Sequence, residues 1–378
     1  MATRVESSSS LAGGRRIEAR RGLATTTRKA AAVKLSELGE FALIERIAAR
    51  LPAYRDDVRA GVGDDVAVLA LDADTYQLAT CDIQVEGVHF VRESITAYQL
   101  GRRAAAINLS DIAAKGGTPE HFLISLALPG ELDVDWVEGL YEGLREEAAR
   151  HGADIVGGNL SRTGGPVVVD VFLLGRVSRD EVLLRSGARP GDRVLVTGSL
   201  GEAAAGLGLL GRGGGILAEE QQQVVQAYLT PTPRVREGRA IARRGVATSM
   251  IDLSDGLSSD IGHICERSGV GVRLWVDRLP ISGATREATE LLGRPAWALA
   301  LEGGEDYELC LTAPSGREGE LMAEVQEETG TRLTCVGEIL EREAGRWVVL
   351  PDGSEARLEA RGWNHFAGRA EARGTDDR

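Results

Sequence analysis

Apolar residues recur at helical spacing near the start of the chain and in short runs further along it. Leu38, Phe41, Ile44 and Ile47 predict a helix that begins at Ser36. Further helices are predicted over about 97–115, 135–151, 257–267, 284–292 and 317–329. Strands are predicted at about 66–71, 76–81, 121–128, 167–177, 247–252, 270–276, 307–312 and 332–338. The stretch V-L-V-T-G-S-L-G-E-A-A-A-G-L (194–207) predicts a strand, a glycine turn and a helix.

A turn-rich stretch, R-S-G-A-R-P-G-D at 185–192, divides these elements into two groups. We therefore expect an α/β chain (mixed α+β) with two successive units rather than one long parallel sheet. The predicted limits are 35–180 for the N-terminal domain and 181–367 for the C-terminal domain. A disordered basic extension at 1–34 and a tail at 368–378 are predicted outside them.

Composition narrows the class of protein. The 378 residues carry a formal net charge of -13, although residues 1–34 hold eight Lys or Arg and only two Glu. An acidic body is a poor nucleic-acid binder, and no apolar run approaches the length of a membrane span. The four cysteines lie far apart without a C-x-x-C pair, which predicts a reducing, cytoplasmic location.

Acidic residues stand beside glycines in two N-terminal motifs. G-V-G-D-D-V-A-V-L (61–69) contains Asp64 and Asp65, and T-C-D-I-Q-V-E-G-V-H-F (80–90) contains Asp82 and His89. We expect Asp82 to end a strand and His89 to lie in the loop that follows. Taken alone, the first motif is a glycine turn with exposed acids, and His89 is a structural hydrogen-bonding group.

Polar residues also interrupt the small-residue helix at N-L-S-D (108–111). Asn108 and Asp111 are three apart and share one face, with Ser110 beside them, so they need partners if the helix is buried. A functional role and a structural hydrogen-bond network both remain open. In D-I-V-G-G-N-L-S-R (154–162), a strand is predicted to run into a turn at residues 157–159.

The C-terminal half repeats this arrangement. In M-I-D-L-S-D-G-L-S-S-D-I (250–261), Asp252 and Asp255 flank Ser254 before a helix, and N-capping accounts for one acid but not for all. L-E-G-G-E-D-Y-E-L-C (301–310) places Glu305 at the mouth of a strand, with a simple turn as the alternative. Acids at several strand ends predict a cleft that holds Mg²⁺ with a polyphosphate. No Walker A or H-R-D sequence is present, so metal ions would have to replace the backbone cradle that a P-loop gives to phosphate.

As an ordered set, these motifs resemble those of bacterial thiamine-monophosphate kinases, over about residues 36–367. That family is related to aminoimidazole ribonucleotide synthetase. The resemblance implies phosphorylation of thiamine monophosphate by ATP with Mg²⁺, through direct in-line transfer. It also implies a homodimer formed through the sheet of the N-terminal, metal- and ATP-binding domain.

The resemblance further implies roles for individual residues. The implied metal ligands are Asp64, Asp65, Thr80, Asp82, Asp111, Asp252 and Asp255. Of these, Asp252 and Asp255 are also the implied catalytic residues. Nucleotide contacts are implied for Arg185, Ser254, Gly158 and Asn159, and thiamine-phosphate contacts for His89, Glu305 and Trp363.

Two departures from the family pattern concern Cys81, where a hydroxyl residue is common, and Asn159, where Asp is common. A neutral thiol is a poor Mg²⁺ ligand, and an amide brings no charge. Two alternative functions stay open, of which only the second depends on these departures. One is a selenophosphate synthetase-like enzyme, although residues 1–60 contain no Cys. The other is a nucleotide-binding regulator without turnover.

Overall fold

Two β-sheets organise the residues that the computed structural model describes, 33–212 and 218–362. The first has six strands in the order β1-β2-β3-β6-β4-β5, antiparallel except for β4 and β5. Its strands are β1 (Val58–Ala60), β2 (Ala67–Ala70), β3 (Thr75–Val85), β4 (Thr118–Pro129), β5 (Asp154–Thr163) and β6 (Val168–Ser178). Each strand belongs to the first half of the chain.

The second sheet has seven strands in the order β13-β12-β9-β11-β7-β10-β8, antiparallel except for β12 and β9. Its strands are β7 (Arg193–Thr197), β8 (Ser249–Asp252), β9 (Gly271–Trp275), β10 (Leu309–Ala313), β11 (Leu333–Leu340), β12 (Arg346–Val349) and β13 (Glu355–Arg357). The two sheets support the prediction of two mixed α/β units, and the turn-rich stretch 185–192 separates them.

Helices α1 (Leu35–Leu38) and α2 (Glu40–Ala48) precede the strands of the first sheet in the sequence. Helix α3 (Ala97–Ala114) connects β3 to β4, and α4 (Val134–Arg150) connects β4 to β5. Those of the second half are α5 (Glu202–Leu210), α6 (Glu219–Leu229), α7 (Val235–Arg243), α8 (Leu257–Ser268), α9 (Gly283–Leu292), α10 (Ala296–Glu302) and α11 (Glu318–Thr329). Short 3₁₀ turns occupy Val276–Arg278 and Arg342–Ala344.

Helix α3 is the central element of the fold because it packs on both sheets. It contacts β3 and β6 of the first sheet, β8 of the second, and helices α4 and α7. Thr96 caps its N-terminus by accepting a hydrogen bond from the Gln99 N–H, in a capping box. Its run of alanines lets neighbouring elements approach closely, so its polar residues lie inside the molecule.

The central strands of the second sheet are buried on both faces, which explains their continuous apolar sequences. On β7, Leu195 faces the large core that also contains α3 and α7. Val194 and Val196 face a second core that contains Ile261 of α8 and Val272 of β9. The second sheet is therefore covered by α8 on one side, and by α3 together with α7 and α11 on the other.

Several predicted elements are confirmed and others were missed. The helix expected from Ser36 is present, but it is broken into α1 and α2 at Gly39, where φ is 79°. The sequence prediction missed β1, β12, β13, α6, α7 and α10. Helix α7 was hidden by its many arginines, and the strands β1, β12 and β13 are only three or four residues long.

Two predictions about strand ends are wrong. Asp82 lies inside β3, which continues to Val85 because each of its residues pairs with β6. Gly157, Gly158 and Asn159 do not form a turn, because they lie inside β5 and pair with β4. Gly158 serves close packing instead, since a Cβ there would lie 1.9 Å from the carbonyl oxygen of Ile124.

Three predictions fall outside the described residues: most of the basic extension at 1–34, the tail at 368–378, and Trp363 as a thiamine-phosphate contact. Over 33–212 and 218–362, no helix has the length and apolar character needed to cross a membrane.

Candidate active site

Three aspartates from distant parts of the chain meet between the two sheets. Asp65 lies just before β2, Asp111 lies in the last turn of α3, and Asp252 is the final residue of β8. One carboxylate oxygen of each lies within 4.8 Å of an oxygen of each of the others. Carboxylates this close repel one another unless cations or protons are shared between them. We call these three residues the central aspartates.

Neighbouring polar side chains of α3 and β3 hold the central aspartates in place. Thr80 donates a hydrogen bond from its hydroxyl to Oδ2 of Asp111 at 2.5 Å. Ser110 donates to Oδ2 of Asp252 at 2.7 Å, which joins the first half of the chain to the second. Asp82, two residues after Thr80 on the same face of β3, is also hydrogen-bonded to Asp111.

The open question about N-L-S-D resolves differently for each residue. Ser110 and Asp111 both belong to the aspartate cluster. Asn108 donates to the carbonyl of Ala104 at 3.0 Å, and its buried Oδ1 has no hydrogen-bond partner within the described parts of the chain. The polar face of α3 is therefore partly a structural network and partly a site.

Burial and mutual repulsion raise the pKa of most of these carboxyls. Burial, and then the charge of Asp65, raise the pKa of Asp252 to about 7. Burial also raises the pKa of Asp82 to about 6, with the charges of Asp170 and Asp65 adding to it against the Asp111 hydrogen bond. The pKa of Asp111 lies well above its usual value because of burial, with the charges of Asp82 and Asp252 adding to the rise. Perturbed groups in a cleft are typical of a functional site.

Two cations, the fully buried Lys115 and the half-buried Arg185, pair with the carboxylates of Asp64 and Asp65. The Nζ atom of Lys115, which is fully buried, lies 2.5 Å from Oδ1 of Asp64 and 2.6 Å from Oδ2 of Asp65. Arg185 pairs with Asp65 through Nε at 2.7 Å and through Nη2. Burial acts to raise the pKa of Asp65, but the charges of Arg185 and Lys115 outweigh it and hold that pKa below its usual value.

Lys115 was missed in the sequence, because a lysine at the end of a helix is ordinarily a solvent-exposed residue. The only signal was its place in an otherwise small and apolar stretch, A-A-K-G-G (113–117). Arg185 was predicted as a nucleotide contact, and its side chain here is engaged with Asp65.

A second acidic group lies at the start of α8. Ligand atoms of Asp255, Asp260 and His263 all lie within 4.8 Å of one another. Burial, together with the charge of Glu40, raises the pKa of Asp255 to about 7. Asp260 accepts hydrogen bonds from the main-chain N–H groups of Asp255 and Gly256, so it shapes the loop that carries Asp255.

Glu305 lies beside this loop, and His89 lies at the end of β3. The main-chain N–H of Glu305 donates to the carbonyl of Ser254 at 2.7 Å, so the two C-terminal motifs run side by side. Nδ1 of His89 accepts a hydrogen bond from the Val85 N–H at 3.0 Å, which fixes the imidazole over the end of β3. Its structural role and its predicted substrate role are therefore compatible.

Gly158 and Asn159 are not brought to the central aspartates by any contact in the described parts of the chain. Asn159 pairs with Ser125 on the exposed edge strand β5, and its side chain makes no hydrogen bond or ion pair there. Their predicted nucleotide contacts therefore have no support in the geometry of a single chain.

The central aspartates are suitable ligands for Mg²⁺. The donors of the central group are carboxylate oxygens, which are the hard ligands that Mg²⁺ prefers. Lys115 and Arg185 neutralise Asp64 and Asp65, whereas no cation is paired with Asp111 among the described residues. The remaining negative charge is what a divalent cation would relieve.

Both halves of the chain match one protein family. Residues 63–177 match the N-terminal domain and residues 189–349 the C-terminal domain of the AIR synthase related proteins. The two-sheet fold, with aspartates between the sheets, thus defines an AIR synthase related protein.

The similarity to individual proteins is more specific. The chain is 38% identical to the thiamine-monophosphate kinase of Salmonella typhimurium, over 87% of this chain and 98% of that enzyme. It is 35% identical to the thiamine-monophosphate kinase of Aquifex aeolicus, over 88% of this chain and 100% of that enzyme. The solved structure of AaThiL complexed with AMPPCP and TMP matches with a TM-score of 0.77 at 35% identity, over 89% of this chain and 99% of that chain. This chain belongs to the thiamine-monophosphate kinase family.

Proposed function

We propose that the protein transfers the γ-phosphoryl group of ATP to thiamine monophosphate, which yields ADP and thiamine diphosphate. The observation that carries this proposal is the meeting of Asp65, Asp111 and Asp252 between the two sheets, in a chain of the thiamine-monophosphate kinase family. A structural relative complexed with AMPPCP and TMP supports both substrates.

We further propose that Mg²⁺ is held by the central aspartates together with Asp82 and Asp255, and that Thr80 supports Asp111. When bound, Mg²⁺ would neutralise the charge on the transferring phosphoryl group. The raised pKa values of Asp82 and Asp252 support this assignment, because such carboxyls gain most from a cation.

The side chains of the protein then have mainly a positioning task. Oxygens of the acceptor phosphate are already anionic at neutral pH, so no strong general base is needed. Arg185 is suited to a phosphate because its guanidinium is planar and permanently charged, and Asp65 aims it. Glu305 and His89 are proposed to bind the thiamine part of the acceptor, with Ser254 on the nucleotide side.

The test is to incubate the purified protein with ATP, Mg²⁺ and thiamine monophosphate and to separate the thiamine esters. We expect thiamine diphosphate and ADP to form in equal amounts, and a chelator to abolish both. Unphosphorylated thiamine is the matched control acceptor. ADP formation that does not depend on thiamine monophosphate would favour another ATP-dependent enzyme of the superfamily, and ATP binding without any turnover would favour a regulator.

We also propose two domains, 35–180 and 181–367, and a homodimer formed through the first sheet. One face of that sheet is covered by α3 and α4, whereas the other carries exposed apolar side chains. Cys81, Phe172 and Leu123 stand in register across β3, β6 and β4 on this open face. An apolar sheet face of this kind needs a covering layer.

Four unpaired cysteines support a reducing cytoplasmic location.

The dimer is tested by sedimentation of Leu123→Glu, which places a charge at the centre of the open face. We expect the variant to sediment as a monomer. Val134→Glu is the control, because Val134 is also exposed but begins α4 on the other side of the sheet. If Leu123→Glu and wild type sediment alike, the open face is not the interface.

A further inference from the structure

Among the described residues, Arg103 is the most deeply buried cation outside the aspartate cluster, and each nitrogen of its guanidinium makes a polar contact. Its exposed fraction is 0%. Nε donates to Gln84 at 3.4 Å, Nη1 donates to the carbonyl of Tyr228, and Nη2 pairs with Oε1 of Glu305. The guanidinium also lies over the ring of Tyr228, with Cζ 4.5 Å from the ring centroid. Arg103 thus connects α3 with β3, with α6 and with the loop before β10.

The partner of Arg103 is held in an unusual backbone conformation. Glu305 has a φ of 70°, in the left-handed region that residues other than glycine rarely adopt. Such a conformation persists where surrounding contacts over-determine it, and it is concentrated at functional sites. Here those contacts are the ion pair with Arg103 and the hydrogen bond to Ser254. The side chain of Glu305 remains 27% exposed, so buried Arg103 holds the carboxylate on one side while solvent reaches it on the other.

Tyr228 extends this network to the second proposed thiamine contact. Its hydroxyl donates to the carbonyl oxygen of His89 at 3.2 Å, while its ring and its own carbonyl hold Arg103. Glu305 and His89 come from opposite halves of the chain, and Arg103 with Tyr228 is the physical link between them. The same helix carries Arg103 and, eight residues later, Asp111.

We propose that Arg103 is a positioning residue for the acceptor: it orients the Glu305 carboxylate and, through Tyr228, the loop that carries His89. This inference rests on the proposed function, because it takes Glu305 and His89 as the residues that meet thiamine monophosphate. Thiamine contains a cationic thiazolium ring and an aminopyrimidine, and a fixed carboxylate complements both. A fixed carboxylate discriminates between acceptors better than a mobile one, since less side-chain freedom is lost on binding.

The neighbouring residue supplies a matched control. Arg102 pairs with Glu147 through Nη2 at 2.8 Å, and the exposed fractions of these side chains are 18% and 3%. This pair is also largely buried on α3, but it joins α3 to α4 within the first half of the chain. Loss of either arginine removes the cation of a largely buried ion pair, whereas only Arg103 contacts Glu305.

The experiment measures KM for thiamine monophosphate and KM for ATP separately in Arg103→Met, Arg103→Lys, Arg102→Met and Glu305→Gln. For Arg103→Met we expect KM for thiamine monophosphate to rise roughly 10- to 100-fold, because misplacement of a binding group by about 1 Å has effects of this size. KM for ATP should stay within about twofold, and Arg103→Lys should restore part of the loss. Arg102→Met should change neither KM, even where it lowers the melting temperature.

A double variant tests whether Arg103 acts through Glu305. If it does, Arg103→Met/Glu305→Gln should have a KM no more than about twofold above that of the worse single variant. Tyr228→Phe, which keeps the ring and removes the bond to His89, should raise KM for thiamine monophosphate while the fold is retained.

The proposal is overturned if Arg103→Met and Arg103→Lys leave that KM unchanged, or raise both KM values equally. If Glu305→Gln has no effect on an active enzyme, the acceptor role of Glu305 fails, whereas absence of thiamine diphosphate from the wild type would remove the proposed function itself.

Discussion

Substitution of Asp252 by Asn is expected to separate catalysis from stability. Asp252 has an exposed fraction of 3% and faces Asp65 and Asp111. Its negative charge therefore destabilises the folded protein unless a metal ion is bound. Asparagine has nearly the same shape, and its carbonyl oxygen can still accept the hydrogen bond from Ser110. Without metal, the variant should therefore be more stable than the wild type at neutral pH.

The expected difference in stability between wild type and variant follows from the pKa of Asp252. Burial and the charge of Asp65 raise the pKa of Asp252 from 3.8 to about 7. The folded protein then binds a proton that the unfolded chain releases, so the wild type loses stability as the pH rises from about 4 to about 7. Ionisation of this carboxyl at pH 8 costs up to about 4 kcal/mol, from about 1.4 kcal/mol per pH unit. Asp252→Asn removes that cost.

Turnover should change in the opposite direction. Removal of one preorganised electrostatic group from an active site commonly lowers kcat by about 10²–10³-fold. We expect a loss of this order for Asp252→Asn, with Mg²⁺ unable to restore it at millimolar concentration.

The assay is urea unfolding of wild type and variant at pH 4 and pH 8, each with a chelator and with Mg²⁺, alongside kcat. With the chelator, the variant should be more stable at pH 8, and this difference should vanish at pH 4. Mg²⁺ should stabilise the wild type more than the variant. Asp192→Asn is the control, because Asp192 is also buried but hydrogen-bonds Thr248 and the Arg189 N–H away from the cluster.

The reasoning is refuted by either of two results. One is an Asp252→Asn variant that is destabilised at pH 8 in the chelator, with an activity loss that matches its unfolded fraction. The other is equal stabilisation of variant and wild type by Mg²⁺, which would separate Asp252 from any metal site.

Two further substitutions test the surroundings of the site. Lys115→Met removes the cation from the buried carboxylates of Asp64 and Asp65 and should cost about 3–5 kcal/mol in urea unfolding; a change below 1 kcal/mol would contradict the ion pairs. Gly158→Ala brings a Cβ to within 1.9 Å of the carbonyl oxygen of Ile124 and should cost about 1–3 kcal/mol. Hydrogen exchange should then accelerate in β5, and unchanged protection there would show that the strand can shift.

Much of the fold was predictable from local patterns. Helix α3, the apolar strands β8 and β10, and the turn-rich stretch 185–192 were all predicted from the sequence. The errors arose where local signals are ambiguous. Glycines at 157 and 158 resemble a turn, yet both lie in β5 and pair with β4, and at Gly158 the backbone of Ile124 leaves no space for a side chain.

The candidate site was only partly predictable. The residue types at Asp65, Asp111 and Asp252 indicated a hard cation with phosphate, because oxygen ligands beside glycines have few other uses in such number. Lys115 and Arg103 gave no comparable signal, since a basic residue on a helix is usually exposed. Their roles depend on which side of α3 is covered, and that side is set by the second sheet.

The sequence by itself determined the elements, the two-unit organisation and the kind of chemistry, because helix and strand periodicity and ligand preference are properties of short segments. Only the tertiary structure decided which aspartates face one another, which cations neutralise them, and that Arg103 joins Glu305 to the helix of Asp111. The physical reason is that charge interactions depend on distance and burial, and residues 65, 111, 185 and 252 acquire both only when α3 is enclosed between the two sheets.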